Sequence, residues 1–357
     1  MKIITIVGAR PQFVKAAVVS REFRKHKNIT EILVHTGQHY DDNMSKIFFD
    51  EMEIPYPQVN LNINGLSHGA MTGQMLQGIE KILLEEKPDW VLVYGDTNST
   101  LAGALAAKKI HIKVAHVEAG LRSFNNNMPE EINRILTDRI SDILFCPTQN
   151  AIDNLNLEGF ANLDCIIIKT GDVMKDAADY YIQKENNFKI PLPEKFYLST
   201  IHREENTNDI NKLKTIFNAL NIISEVVPVV VPIHPRTKSI LQNIGFDLKN
   251  TKIKFLGPVG YLDMIQLIKR SSLIITDSGG LQKEAYFFKK NCVTLRDQTE
   301  WVELVNAGYN LLSIIDENEI INKVSVMSLK KFRPNETSIY GDGFSAEVIV
   351  KSLIKYT

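Results

Sequence analysis

The sequence has little of what marks secreted, membrane-spanning or metal-binding proteins. Its three cysteines are odd in number and form no CxxC pair, which predicts free, reduced thiols in a cytoplasmic protein. No apolar run approaches the roughly 18 residues of a membrane helix. The run at residues 3–7 is too short for the core of a signal peptide. Neither a metal-spaced set of Cys and His nor a GxSxG elbow is present, so we expect no metal site and no serine hydrolase.

Strong net charge is also missing. With 41 basic and 42 acidic residues, the formal net charge is −1, which excludes bulk attraction to nucleic acid or to an anionic membrane. Hydrophobic residues make up 44% and charged residues 23% of the chain, the usual composition of a globular protein. A length of 357 residues exceeds one ordinary core and suits two domains.

Short apolar runs alternate with amphipathic stretches along the whole chain. Continuous apolar strands separated by helices predict parallel sheets covered on both faces. Because the pattern occurs twice, we expect two doubly wound α/β domains that join near residues 169–172. Ligands of such sheets bind beyond the carboxyl ends of the strands. The predicted strands are residues 3–7, 31–36, 90–95, 113–119, 143–147, 196–201, 227–233, 253–258, 273–277 and 292–296.

The first predicted strand runs into GARPQFVKAA. Pro11 suits the first turn of a helix, where its missing N–H costs nothing. Arg10 and Lys15 would add positive charge to a helix N-terminus that already attracts anions. This segment alone leaves open a simpler alternative, a helix start with exposed basic residues.

Acidic residues follow two later strands of the same half. Asp96 follows VYG, and Glu118 lies in HVEAGLRS, which also carries His116. The segment PEEINR then places Glu130 and Arg134 near a helix start. Asp96 could simply cap a helix, and acids in a first helical turn favour the helix dipole. A carboxylate in strand context before Ala-Gly, as at Glu118, is an unusual place for a merely solvated charge.

In the second half, two histidines come directly after predicted strands, and DSGGLQKEA follows a third strand. A lone histidine is usually structural, but His202 and His234 at the ends of two strands favour a site. Ser278-Gly279-Gly280 would leave helix-start N–H groups uncovered, where phosphate oxygens can reach them. Glu284, one turn later, could accept hydrogen bonds from a ribose diol. The stretch therefore favours a nucleoside diphosphate over the alternative, a tight turn with a surface glutamate.

These segments together resemble the non-hydrolysing UDP-N-acetylglucosamine 2-epimerases from end to end. The matching stretches are GARPQFVK, TGQHYD, VYGDTNSTLAGALAA, HVEAGLRS, PEEINR, HREEN, DSGGLQKEA, RDQTEW and YGDGFSAE. The resemblance implies GT-B architecture, with two Rossmann-like doubly wound parallel-sheet domains facing a cleft. The N-terminal domain would comprise residues 1–170 and a returning C-terminal helix, residues 346–357. Residues 171–345 would form the UDP-binding domain, and the protein would be a homodimer.

The resemblance also implies roles for individual residues. The catalytic residues would be Asp96, Glu118, Glu130, His202 and Lys15. The residues that bind the UDP-sugar would be Arg10, Arg134, His234, Phe255, Ser278, Gly279, Gly280 and Glu284. Within that second group, the glycine-rich turn and Arg10 would hold the diphosphate, and the segment around Phe255 would receive the uracil.

The reaction implied by the resemblance interconverts UDP-GlcNAc and UDP-ManNAc for bacterial surface polysaccharide synthesis. UDP leaves first, and loss of the C2 proton gives 2-acetamidoglucal; UDP and a proton then return, the proton to the opposite face. This chemistry needs cations for the leaving diphosphate, acids or bases around C2 and exclusion of water. It needs no nicotinamide or other cofactor.

Departures from the common family pattern leave the sugar open. Ala9 and Gln12 replace Thr and Glu of the usual GTRPE start, and Trp301 interrupts the usual ERPE. The GARPQF start leans toward a branch that epimerises UDP-2,3-diacetamido-2,3-dideoxyglucuronic acid, which is the alternative substrate. A different class, a GT-B glycosyltransferase or a UDP-sugar-binding protein, shares the fold, but a mere binding protein leaves the three carboxylates unexplained.

Overall fold

The structure, a computed structural model, describes residues 1–38, 49, 53, 56–184, 188–248, 250–333 and 338–357, without the side chain of Arg10. Contacts divide the chain into two compact units. The first is Met1–Tyr180 with Thr337–Thr357, and the second is Tyr181–Glu336. The first unit thus continues to Tyr180, past the junction that the sequence predicts near residues 169–172.

The first unit is built on a sheet of seven strands. Every recorded pairing is parallel, and the spatial order is β3-β2-β1-β4-β5-β6-β7. The strands are β1 (Lys2–Val7), β2 (Thr30–His35), β3 (Val59–Asn60), β4 (Trp90–Tyr94), β5 (Lys113–Val117), β6 (Ile143–Cys146) and β7 (Ile166–Lys169). Among the described residues, its helices before the C-terminal segment are α1 (Arg10–Phe23), α2 (His68–Glu86), α3 (Asn98–Lys109), α4 (Pro129–Ile140), α5 (Gln149–Leu157) and α6 (Val173–Ile182), which runs across the change of unit.

Sequence pattern explains why both faces of this sheet are covered. All five residues of β4, WVLVY, are buried, as expected for a central strand with helices above and below it. Helix α2 buries one stripe at helical spacing, formed by Met71, Met75, Ile79, Ile82 and Leu83. These side chains join Ile4 and Val91 of the sheet in one apolar core cluster.

The second unit repeats the plan with six parallel strands, in the order β10-β9-β8-β11-β12-β13. The strands are β8 (Tyr197–Thr200), β9 (Val229–Pro232), β10 (Lys254–Leu256), β11 (Leu273–Thr276), β12 (Cys292–Thr294) and β13 (Asn310–Leu312). The helices are α7 (Glu204–Thr207), α8 (Ile210–Ser224), α9 (Pro235–Asn243), α10 (Tyr261–Arg270), α11 (Gly279–Phe287), α12 (Val302–Asn306) and α13 (Glu317–Leu329). Two parallel sheets, each with its own helices, confirm the predicted fold class.

The C-terminal helix α14 (Ser345–Tyr356) belongs to the first unit, where it packs against α1. Asp176 of α6 accepts a hydrogen bond from the Ala346 backbone N–H at 2.8 Å. At the other end, the Trp90 indole donates to the Thr357 hydroxyl at 2.9 Å.

Cys146, Cys165 and Cys292 are all free thiols. Among the described helices, none combines the length and apolarity that crossing a membrane requires.

Gly171 packs closely against residues 340–341 and against the start of α14. Gly171 has φ +82°, and a Cβ there would lie 2.8 Å from the Tyr340 carbonyl oxygen and 2.9 Å from the Ser345 hydroxyl. We expect Gly171→Ala to lower the free energy of unfolding by at least about 2 kcal/mol, from left-handed strain plus the clash. Denaturant titration would measure it. Gly73→Ala, in α2 with nothing within 4 Å of its Cβ position, should instead stabilise by about 0.5–1 kcal/mol; equal effects would contradict the packing argument.

Candidate active site

Each sheet has one point where the strand order reverses direction, and several predicted residues follow the strands that flank it. In the first unit β1 lies between β2 and β4, so Gly8 and Asp96 follow the two strands that flank the switch. In the second unit β8 lies between β9 and β11, so His202 and Ser278 flank the corresponding point. Ligands of open parallel sheets bind at this position because the helices diverge there and leave a crevice. Each unit therefore carries a candidate site at its own strand switch.

A buried ion pair lies at the first of these points. The Lys15 ammonium is 2.5 Å from Oε2 of Glu118, and each side chain is 9% exposed. Lys15 comes from the second turn of α1 and Glu118 from the turn after β5. Gly95 makes room for the lysine, since a Cβ at Gly95 would lie 3.3 Å from its Nζ. The structure thus brings together two residues that lie 103 positions apart in sequence (118 − 15).

The backbone of Glu118 is in the left-handed region, with φ +74°. A residue with a Cβ pays roughly 1–2 kcal/mol for this conformation. Such strain persists only where the surrounding structure enforces it, and it concentrates at functional sites. Strand β5 was predicted to run to residue 119, and this turn ends it at Val117 instead. The correction places the Glu118 carboxylate at the sheet edge rather than along a strand.

Asp96 is held by Arg134. The guanidinium Nε donates to Oδ2 of Asp96 at 3.2 Å, and Nη2 donates to the same oxygen. Nη1 donates to Oε2 of Glu131 at 2.8 Å. Asp96 keeps part of its surface, with 27% of its side chain exposed, whereas Arg134 is 5% exposed. The described contacts of Arg134 are therefore with carboxylates, and its contact with a substrate stays a prediction.

The two neighbouring glutamates at the start of α4 differ in their surroundings. Glu131 is fully buried and accepts hydrogen bonds from the Ser123 N–H and hydroxyl, both at 2.9 Å, and from the Phe124 N–H at 2.8 Å. This anchoring of the Ser123 and Phe124 backbone by Glu131 was not predicted from the sequence, because the helix dipole alone explains an acidic residue in a first helical turn. Glu130 is exposed and makes no recorded side-chain contact within the described part of the chain. Its catalytic role stays a prediction.

A second buried network lies under the turn that carries Glu118. His116 is fully buried, with Nδ1 2.7 Å from Oδ1 of Asp138 and Nε2 2.7 Å from the Gly95 carbonyl oxygen. Asp138 Oδ2 accepts from the Gly120 N–H at 3.1 Å and from Arg122 at 2.7 Å. Burial alone would raise the pKa of Asp138, but the hydrogen bonds and charges of His116 and Arg122 lower it below its ordinary value.

In the second unit, Asp277 organises the turn that carries His202. It is fully buried at the end of β11 and accepts from the backbone N–H groups of His202 and Arg203, each at 3.1 Å to Oδ2, and from the Asn206 amide at 3.1 Å. Nδ1 of His202 lies 3.3 Å from Oδ1, and the ring is 59% exposed. Asp277 was not among the predicted site residues, although its place directly after a strand was a usable signal.

The glycine-rich turn has the form expected of an anion cradle. Ser278 caps α11, its hydroxyl accepting from the Leu281 N–H at 3.4 Å. A Cβ at Gly280 would meet nothing within 4 Å, so the backbone is open there. A Cβ at Gly279 would lie 2.5 Å from Oε1 of Glu300, so a larger residue there would displace the Glu300 carboxylate. The N–H groups of a first helical turn have no intrahelical partner and suit phosphate oxygens.

Residues one turn further along α11 are buried. Glu284 is 7% exposed. The Gln282 amide donates to the Ser278 carbonyl at 3.2 Å and accepts from the Thr299 hydroxyl at 2.8 Å, which ties the helix to the RDQTEW segment. Nζ of Lys283 lies 3.9 Å from the centre of a Trp301 ring, which shows where this departure from the usual ERPE pattern packs. The helix that follows the glycine-rich turn is therefore anchored by buried side chains.

The remaining predicted ligands are placed less closely. His234 is exposed and caps α9, its Nδ1 accepting from the Arg236 N–H at 3.2 Å. The Phe255 ring stacks on the buried Phe217, with centroids 6.1 Å apart and planes at 24°. That ring is thus part of the core packing of the sheet, and a uracil-binding role of its segment stays a prediction. The side chain of Arg10, predicted to hold the diphosphate, lies outside the described part of the structure.

Comparison with known proteins covers nearly the whole chain. The family model for UDP-N-acetylglucosamine 2-epimerase matches residues 21–354. The UDP-2,3-diacetamido-2,3-dideoxy-D-glucuronate 2-epimerase of Pseudomonas aeruginosa is 53% identical over 357 residues, which is 99% of this chain and 100% of that protein. Strong similarity therefore extends across both units.

Solved structures give the same result. The crystal structure of the Methanocaldococcus jannaschii UDP-GlcNAc 2-epimerase in complex with UDP-GlcNAc and UDP aligns with a TM-score of 0.89 at 44% identity, covering 100% of both chains. The Neisseria meningitidis UDP-GlcNAc 2-epimerase bound to UDP-GlcNAc aligns with a TM-score of 0.88 at 31% identity, covering 99% of this chain and 100% of that one.

Proposed function

The chain belongs to the UDP-N-acetylglucosamine 2-epimerase family, and we propose that it inverts C2 of a UDP-linked 2-acetamido sugar by elimination and re-addition of UDP. The observation that carries the proposal is the buried Lys15–Glu118 pair at 2.5 Å, beside Asp96 and its arginine. A buried carboxylate that shares its site with an ammonium group is suited to accept or deliver a proton.

The second unit binds the nucleotide in this proposal. Phosphate oxygens accept hydrogen bonds from the open helix start at Ser278, Gly279 and Gly280, where the helix dipole favours negative charge. His202, held at its backbone by Asp277, donates to the diphosphate as negative charge builds up on it. Glu284 accepts hydrogen bonds from the ribose diol. Support comes from the capped α11 and from its position at the strand switch.

The first unit carries out the proton chemistry. The C1–O bond breaks, and UDP leaves with the bonding electrons. A carboxylate then removes the C2 proton, and the C–H electrons form the C1=C2 double bond of the glycal. Protonation of C2 on the opposite face and return of UDP to C1 complete the inversion. Glu118 and Asp96 are the residues we assign to proton transfer, with Glu130 as a third candidate.

Two sugars are candidates for the substrate. UDP-GlcNAc is favoured by the bound ligands of the Methanocaldococcus and Neisseria structures. UDP-2,3-diacetamido-2,3-dideoxyglucuronic acid is favoured by the 53% identity to the Pseudomonas enzyme. Incubation with each sugar nucleotide, with UDP-glucose as a control that lacks the acetamido group, followed by NMR of the products, separates them. UDP binding without turnover of any sugar would indicate a binding protein, and transfer to an acceptor would indicate a glycosyltransferase.

We also propose that the protein works in the cytoplasm as a homodimer, without a nucleic-acid partner, in surface polysaccharide synthesis. The family resemblance supports the dimer and the pathway. Three free thiols and a net charge of −1 support the location and the lack of nucleic-acid binding. Light scattering of the purified protein tests the dimer.

Glu284→Ala should weaken UDP binding about 10- to 150-fold, the equivalent of roughly 1.5–3 kcal/mol for lost hydrogen bonds to a charged group. Calorimetric titration with UDP measures the change. Uridine should lose a similar factor, whereas inorganic diphosphate should lose little, because the carboxylate binds the ribose. Glu194→Ala, an exposed residue of the same unit, is the control. UDP affinity equal to that of wild type would remove Glu284 from the ribose site.

A further inference from the structure

We propose that His116 and Asp138 are positioning residues that hold both acid–base carboxylates of the first unit, Asp96 and Glu118, in place. The inference rests on the proposed function and adds to it two residues that would touch neither substrate nor nucleotide. Their effect would pass through the backbone next to each carboxylate, just before Asp96 and just after Glu118. All of the contacts that support it lie within the first unit.

The His116 ring bridges two hydrogen-bond acceptors. Its Nε2 faces the Gly95 carbonyl oxygen at 2.7 Å, and a carbonyl can only accept, so Nε2 donates. Its Nδ1 faces Asp138 at 2.7 Å. The ring is thus held between the Gly95 carbonyl and the Asp138 carboxylate. The orientation of the buried imidazole is therefore fixed at both nitrogens.

One arm of this bridge reaches Asp96. Gly95, whose carbonyl His116 holds, is the residue directly before Asp96. The Gly95 N–H donates to the Val117 carbonyl at 3.0 Å, so the turn is fixed on both sides of the glycine. The Asn133 amide holds the Asp96 carbonyl at 3.0 Å. Asp96 therefore has a fixed backbone, and its carboxylate is aimed by Arg134.

The other arm reaches Glu118. Oδ2 of Asp138 accepts from the Gly120 N–H at 3.1 Å, two residues beyond the strained Glu118. Gly120 has φ +80°, and a Cβ there would lie 2.4 Å from the Ala151 carbonyl oxygen, so the turn has no room for a side chain at this position. The left-handed Glu118 needs such an anchor, because its strained backbone otherwise relaxes.

Arg122 completes the network and closes it toward solvent. It donates to Oδ2 of Asp138 at 2.7 Å and, in two parallel bonds of 2.6 and 2.8 Å, to the carboxylate of Glu158. Buried ion networks often contribute little net stability compared with apolar packing. A network that bonds specifically to the backbone next to two acid–base residues is better explained by the geometry that it imposes. Positional errors near 1 Å cost such enzymes on the order of 10²-fold in rate.

Two substitutions separate the arms. In His116→Asn the amide nitrogen approximates Nδ1 and can still donate to Asp138, but the Gly95 bond is lost. In His116→Gln the amide nitrogen approximates Nε2 and can still donate to Gly95, but the Asp138 bond is lost. We expect each to lower kcat about 10- to 100-fold, with KM and UDP affinity within about two-fold of wild type. Each should also release more glycal per epimer formed, since misplaced proton donors slow the second half of the reaction.

The matched control is Ile79→Ala, a fully buried residue of α2 outside the network. It should lower the melting temperature by as much as the His116 variants or more, with kcat and glycal release unchanged. Variants that keep wild-type kcat, or whose glycal ratio matches that of Ile79→Ala, would overturn the positioning role. If neither His116 variant folds, hydrogen exchange of the wild type decides. The Gly120 amide must then exchange as slowly as those of β4 and β5, and fast exchange would refute the anchor. A wild type without epimerase activity would instead reject the proposed function.

Discussion

Glu118→Gln is expected to lower kcat by about 10²–10⁴-fold while UDP affinity stays within about two-fold of wild type. Glutamine preserves the size of the side chain and can still accept a hydrogen bond from Lys15, but it cannot take or return the C2 proton. The same loss is expected for Asp96→Asn and Glu130→Gln if each is a true acid or base. Steady-state kinetics with the true substrate and calorimetry with UDP make the two measurements.

Glu85→Gln is the matched control, an exposed glutamate of α2 in the same unit, and it should keep wild-type kcat. Lys15→Met adds a second comparison, because it leaves Glu118 buried without its cation. A Lys15→Met/Glu118→Gln double variant should be more stable than Lys15→Met alone, since no unpaired charge remains. Full kcat in Glu118→Gln would exclude Glu118 from proton transfer, and loss of UDP binding with kcat would indicate damage beyond the acid–base site.

Asp138→Asn should cost about 3 kcal/mol of unfolding free energy at neutral pH, because it removes the buried carboxylate that contacts His116, Arg122 and the Gly120 N–H. The folded-state pKa of Asp138 lies below its ordinary 3.8. Its contribution is therefore fully present above about pH 4 and is lost as pH falls through the lowered pKa. The difference between wild type and Asp138→Asn should be constant from about pH 8 to about pH 5 and shrink in stronger acid.

Denaturant titrations at a series of pH values measure this difference. Asp153→Asn, at an exposed position of α5, is the control and should change stability by no more than about 0.5 kcal/mol. A loss in Asp138→Asn that grows toward acid would mean that Asp138 is protonated in the folded protein.

The class of fold was predictable because hydrophobic patterning is local. Runs such as WVLVY and LIIT are apolar at nearly every position, which is typical of a strand covered on both faces, and both are buried throughout. Strand ends were harder to predict. Strand β5 stops at Val117 because Glu118 turns left-handed, and nothing in the letters HVEAGL other than the glycine announces it. Two-residue β3 was not predicted, because a strand that short has no period to detect.

The resemblance read from nine short motifs is confirmed over the full chain by the family model and the relatives. The motifs also place most of the predicted site residues just after strands, and parallel strands bring their carboxyl ends to one edge. The sequence could not predict which of these side chains form ion pairs with each other. That Lys15 meets Glu118, and that Arg134 meets Asp96, depends on how α1 and α4 pack on the sheet, which no local pattern encodes.

The supporting residues were missed for the same reason. Asp277 and Asp138 have no exposed chemistry, and their role is to bond backbone N–H groups in distant turns. In sequence each is one carboxylate among 42 acidic residues. The uracil-binding role of the segment around Phe255 stays a prediction. The ring of Phe255 packs on Phe217, because strand alternation turns it toward the core.

The central claim, inversion by elimination and re-addition, is tested most directly by running the wild-type reaction in deuterated water. Elimination removes the C2 hydrogen and replaces it from solvent. Deuterium is therefore expected at C2 of the product from the first turnover and of recovered substrate with time, together with traces of glycal and UDP. An epimerised product that keeps its original C2 hydrogen, measured by NMR or mass spectrometry, would contradict it.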